Sequence, residues 1–209
     1  MQSNQNIIEH LAGIYKLSDC SDPLHRATHL PHAYATLRCA RLFYGGQLPD
    51  SLAVAAFAHD RDRIFQADAR TINSSADLRS YKAHKDASAE KSAELLRADL
   101  KGMLPEKLIN DIAFLVERHE RGGDRKNWRL IFVPDSSGIY NLNYGADVIR
   151  EADALSFFNG VFDLYTHYRG PEETRRKIQF SFERLSKKGR RIFAAQDPVL
   201  FERIGAMVK

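Results

Sequence analysis

The sequence predicts an all-α protein. Three observations carry that prediction: apolar residues recur at steps of three and four along most of the chain, Gly and Pro pairs punctuate those runs at helical lengths, and one short stretch carries the extended-chain signal. The expected architecture is a helical bundle with a small hairpin or extended excursion near 128–142. The 209 residues suit a single domain, 1–209, able to bury most of its apolar surface.

Taken in order, Ile7, Ile8, Leu11, Ile14 and Tyr15 form one helical stripe within residues 5–17, and His10 falls off it. The next segment, Asp22 to His32, crowds His25, His29 and His32 together. Pro31 is read as the start of a helix, because proline is tolerated in a first turn; His25 and His29 then precede it. His32, Thr36, Cys39 and Phe43 share one side of that helix. Gly45-Gly46 closes it in the manner of a C-cap, and Pro49-Asp50-Ser51 opens the apolar run that ends in His59-Asp60. A short connection favours antiparallel neighbours, which puts His32 and His59 at the same end of the pair.

A charged run, 61–68, follows, and Asn73 to Asp77 reads as a loop, either over a substrate or a plain surface connection. Residues 84–100 are helical by propensity, with His84 at their beginning. Leu104-Pro105-Glu106 opens a helix on which Ile109, Ile112, Val116 and His119 advance by three, four and three, and Gly122-Gly123 ends it. Trp128 to Pro134 and Ser137 to Tyr140 supply the hairpin. Helix resumes near Ala146, with Ile149, Asp153 and Phe157 on one face. From about 160 to 209 a helical segment, with Ile178, Phe182 and Leu185 at helical spacing, is expected to pack on the core formed by residues 25–160.

The composition, 44% hydrophobic and 28% charged, is that of an ordinary globular protein and argues against disorder. No apolar run approaches the roughly 20 residues that span a bilayer. Met1 to Asn6 lacks the basic start and apolar stretch of a targeting segment, so the expected location is cytoplasmic, with no membrane partner. Cys20 and Cys39 have no CxxC spacing, which gives no support to a disulfide framework or a zinc ribbon. The net charge of +4 is concentrated late, in Arg175-Arg176-Lys177, Lys187-Lys188 and Arg190-Arg191. That segment is read as a solvated helix face first, and as an attraction for phosphate-bearing partners, nucleic acid among them, second.

The polar residues on apolar faces or at the ends of these helices are His32, His59, Asp60, His84, His119 and Asp153. Imidazoles and carboxylates aimed into one helical interior are costly without partners. A divalent cation is the partner that suits all six: nitrogen and oxygen ligands without thiolate fit Mn, Fe, Co, Ni, Mg or Zn.

The order His32, then His59-Asp60, then Asp153 within Glu151-Ala152-Asp153-Ala154-Leu155, resembles the HD-domain superfamily of metal-dependent phosphohydrolases. The segments His84 to Ala93 and Val116 to His119 also resemble segments of that superfamily, and the likeness covers about residues 25–160. It implies an HD-type helical bundle in which His32, His59, Asp60 and Asp153 hold one metal, with Asp60 bridging to a second if His84 and His119 bind it. His29 competes with His32 as first ligand. The implied activity is hydrolysis of a phosphate ester, on a nucleotide or similar small phosphorylated metabolite, by a metal-activated water. Lys85, Arg118 and Arg121 adjoin these ligands and are read as phosphate-binding, and Asp62 and Asp68 as the nearest carboxylates for proton transfer to the leaving group. The rival readings are a phosphodiesterase on cyclic nucleotides or oligonucleotides, and a regulatory or binding module that keeps the fold without turnover.

Overall fold

A computed structural model describes residues 4–17, 20, 22–65, 78–121, 131–135 and 138–208. The fold is all-α, with one small hairpin among the described residues, and the elements follow from local signals in the chain.

Helix α1 (Asn4–Lys16) buries Ile7, Ile8, Leu11 and Tyr15 and leaves His10 exposed. Helix α2 (Pro23–Tyr44) begins well before Pro31, which lies inside it; this corrects the expected start. The reason is the cap. Asp22 Oδ1 accepts from the Leu24 and His25 amides at 2.9 and 3.2 Å, and Pro23 occupies the first turn, where no N–H is required. An interior proline costs a helix about 3 kcal/mol, and here extensive packing of α2 on α6 offsets it. As a consequence His25, His29 and His32 all lie on α2, at i, i+4 and i+7, and therefore on one face. Gly45, at φ 79°, ends the helix and donates its N–H to the Arg41 carbonyl at 3.1 Å.

Helix α3 (Asp50–Ala58) is buried at every residue from Ser51 to Ala58. A helix that is apolar all round belongs in the middle of a bundle, and α3 is packed among α1, α2, α5 and α6. It stops at His59, and a 3₁₀ turn follows over Arg61–Phe65; the next described helix is α4 (Leu78–Asp99). The Arg61 guanidinium anchors that turn by donating to Asp99, Nε to Oδ2 at 2.6 Å. Helix α4 lies along α5 (Glu106–Arg118), whose one apolar stripe buries Ile109, Ile112, Ala113, Leu115 and Val116.

Strands β1 (Phe132–Asp135) and β2 (Gly138–Asn141) pair antiparallel, with Val133 opposite Tyr140. Both side chains are buried, and the Tyr140 hydroxyl hydrogen-bonds Ser51 of α3, which ties the hairpin to the centre. Asn141 caps α6 (Leu142–Gly160) through the Asn143 amide at 2.8 Å, so α6 starts a turn earlier than Ala146. Helix α7 (Phe162–Glu183) kinks at Gly170, φ 79°, just before Pro171. Helices α8 (Lys187–Gln196) and α9 (Pro198–Met207) close the bundle, with Phe193 stacked on Phe158 of α6 at 4.7 Å. One contiguous core links α1 to α9 through Leu11, Leu52, Phe57, Leu115, Ile149 and Ile204. Among the described residues, no helix is long and apolar enough to cross a membrane.

Candidate metal centre

Four side chains from three parts of the fold converge. His32 comes from the middle of α2, His59 and Asp60 from the end of α3, and Asp153 from α6; one ligand atom of each lies within 4.8 Å of the others. Nε2 of His32 stands 3.2 Å from Asp153 Oδ1 and 3.7 Å from Asp60 Oδ2. Nε2 of His59 stands 3.5 Å from each of the same two oxygens.

The opposite edges of the rings determine what those Nε2 atoms are. His59 Nδ1 lies 3.1 Å from the Ala56 carbonyl, which only accepts, so Nδ1 carries the hydrogen. The Ser156 hydroxyl donates its one hydrogen to the Asp153 carbonyl at 2.8 Å and already accepts from Thr36 at 3.0 Å. His32 Nδ1, 3.1 Å away, must therefore be the donor to Ser156. In their neutral forms both rings turn a bare lone pair toward carboxylate oxygens. His59 Nε2 is buried and has no hydrogen-bond partner. Lone pairs facing carboxylates in a buried site need a positive centre between them. Histidines whose other nitrogen is fixed by a carbonyl or a hydroxyl are also oriented as metal ligands are.

A second group shares Asp60 and adds His119 and Glu120. His119 ends α5 as His59 ends α3, with Nδ1 2.6 Å from the Val116 carbonyl and an unpartnered Nε2. That Nε2 lies 3.4 Å from Glu120 Oε1, and the rings of His59 and His119 meet edge to face at 5.1 Å. Asp60 thus stands between the two groups.

Charge around the centre is balanced by buried cations. Burial alone would raise the Asp60 pKa, but the Arg63 guanidinium at 2.9 Å, with His59 and Lys85, holds it well below the usual carboxylate range. Burial opposes ionisation of Asp153 as well, and is outweighed by Arg184, Nη1 to Oδ2 at 2.7 Å, and by the two histidines. Glu120 is kept ionised against burial by Lys85, its ion-pair partner, and by Arg184 at 3.3 Å. For His32, burial dominates and lowers the pKa. His59 is raised, because Asp60 and Asp153 overcome its burial.

His32, rather than His29, is thus the α2 histidine beside His59, Asp60 and Asp153. His84 lines the adjoining cavity but belongs to neither group, and Glu120 stands with His119 instead. Lys85 also lines the cavity. Three readings are corrected. Asp62 is a strut: its carboxylate accepts from Ser88 at 2.6 Å and Ser92 at 2.7 Å, which fastens the 3₁₀ turn to α4. Arg118 is exposed and lies 5.5 Å over the Phe114 ring, and exposed Arg121 pairs with Glu90; neither lines the cavity. Helical phase leaves Arg118 outside, and Arg121 lies just beyond the end of α5. Asp68 and the loop 73–77 lie outside the described residues.

Sequence reasoning missed Glu120, Arg63 and Arg184. For Glu120 a signal existed: His119-Glu120 repeats His59-Asp60, a histidine and an acid at the end of an apolar helix. Arg63 and Arg184 had none, being ordinary charges in polar stretches. The late basic segment is partly absorbed by the fold: Lys188 donates to the Phe43 carbonyl at 2.5 Å, and Arg190 lies 4.6 Å over the Phe182 ring. Compared with models of known protein families, with curated proteins and with solved structures, the chain matches none.

Proposed function

We propose that the protein is a metal-dependent phosphohydrolase acting on a phosphate ester of a nucleotide or similar small metabolite, as the resemblance to the HD-domain superfamily implies. The observation that carries this reading is the convergence of two imidazole nitrogens, each with its other ring nitrogen fixed by a carbonyl or hydroxyl, and two carboxylate oxygens beside a cavity. The donor set fits a divalent ion such as Mn, Fe, Co, Ni, Mg or Zn, held by His32, His59, Asp60 and Asp153. His119 and Glu120 would hold a second beside Asp60. A divalent ion bound there supplies Lewis acidity and a water acidified toward neutrality.

The remaining chemistry belongs to the chain. Arg63 and Arg184 fix the carboxylates of Asp60 and Asp153 and keep them ionised. Ser156, held by Thr36, fixes the His32 ring. The carboxylates Asp60, Asp153 and Glu120 are offset by Arg63, Lys85 and Arg184, so an added divalent ion leaves the centre positive, and an anionic phosphate is the substrate that charge favours. Lys177, half-buried in the cavity wall on α7, is positioned to meet such an anion.

The test is metal analysis of purified protein combined with a panel of nucleoside monophosphates, sugar phosphates and cyclic nucleotides. Hydrolysis of monoesters with Mn, Co, Ni or Mg, lost together with the metal in His59→Ala, is the expected result. Turnover confined to cyclic nucleotides would favour a phosphodiesterase. A protein that binds no ion and turns over nothing would be a non-catalytic module.

A further inference from the structure

Another set of donors lies outside this centre. Cys20 precedes α2, and His25 and His29 follow within its first two turns, one helical turn apart on the same face. One ligand atom of each lies within 4.8 Å of the others, and the two rings are 5.2 Å apart. His29 is 6% exposed, with Nε2 buried and unpartnered; Nδ1 of His25 is likewise buried without a partner. Both histidines line the cavity. Two buried imidazole nitrogens without partners, on histidines grouped with a buried sulfur, carry an unmet polar cost that a bound cation would relieve.

We propose that Cys20, His25 and His29 form a separate divalent-metal site, thiolate-containing and zinc-selective, in the wall of the same cavity. The donor chemistry distinguishes it from its neighbour. Sulfur and imidazole favour a borderline-soft ion, whereas the oxygen-rich centre at Asp60 and Asp153 favours a harder one. Burial, aided for each by the Arg63 charge, pulls His25 down to about 3 and His29 to about 4. Both rings are therefore neutral, as ligands must be. Binding releases the thiol proton of Cys20 to solvent as the metal–sulfur bond forms. Three protein ligands leave one position of a tetrahedral ion for water or substrate. Cys39, buried against α6 and contacted by Asn159 at 3.7 Å, takes no part.

Cobalt(II) reads this directly, because thiolate ligation gives a charge-transfer absorption that nitrogen and oxygen ligands do not. Titration of metal-free full-length protein with Co(II) should develop that band, and Zn(II) should erase it. The band should persist in Cys39→Ser and in His59→Ala and vanish in Cys20→Ser. His25→Gln should weaken Co(II) binding at this band by about 10-fold or more, and it decides the matter if Cys20→Ser fails to fold by circular dichroism. Absence of the band in wild type, its survival in Cys20→Ser, or unchanged affinity in His25→Gln would overturn the proposal. Because His59→Ala leaves this site intact, loss of hydrolysis and loss of the band report on separate claims.

Discussion

Replacing Asp153 by Asn removes one anionic oxygen from the four-residue centre while conserving shape, and its effect on metal-linked stability can be worked through. An ion that binds only the folded state at 100 times its Kd stabilises by about 2.7 kcal/mol. For a chain of this size that raises Tm by about 5–11 °C. Loss of a supporting partner of a metal site costs 10–100-fold in affinity, and loss of a ligand should cost at least the upper figure. At the same ion concentration the ratio to Kd then falls to about 1, and the stabilisation to about 0.4 kcal/mol, or under about 2 °C. Asp153→Asn also weakens the hold on Arg184, which keeps Glu120 at 3.3 Å, so the variant is less stable without metal. Measuring Tm with and without ion within each protein cancels that loss. Scanning calorimetry against EDTA, with Mn(II) or Co(II) in excess, is the assay. A variant that keeps the full wild-type shift would refute the assignment of Asp153 as a ligand, and a wild type without any shift would refute the centre.

Three further outcomes follow from the geometry. Asp62→Ala should lower stability by about 3 kcal/mol through loss of two buried hydrogen bonds to a charged group, while activity per folded molecule is retained; a selective loss of kcat would restore a chemical role for Asp62. In the metal-free protein His59 has a raised pKa, so its contribution to stability is complete below about 6.5 and is lost as pH rises through the folded value. Metal needs the same nitrogen unprotonated, so the metal-induced rise in Tm should be larger at alkaline than at mildly acidic pH, and a shift independent of pH would exclude His59 as ligand. Arg118→Ala and Arg121→Ala should leave KM within about 2-fold of wild type, since exposed ion pairs contribute little, whereas a strong rise in KM would place substrate outside the cavity.

The chain by itself determined the helical class and most of the helices, because burial of one stripe per helix imposes a period visible in any sequence. It also marked His32, His59, Asp60 and Asp153, since a polar residue on an apolar stripe stands out against its neighbours. Its errors were of two kinds. Pro31 outweighed Asp22-Pro23 as a start signal, although the cap supplied by Asp22 satisfies amides that a proline leaves unmet. Arg118 and Arg121 were chosen for adjacency to proposed ligands along the chain, which does not determine which way a side chain points.

What only the tertiary structure decided is the set of charges that meet across it. Glu120 with Lys85, Arg184 with Asp153, and Asp62 with Ser88 and Ser92 join residues from different helices. Helical periodicity specifies an angle about one axis and is silent on the distance to another. The electrostatics that hold these carboxylates ionised depend on that distance and on exclusion of water, and both exist only once the helices have packed.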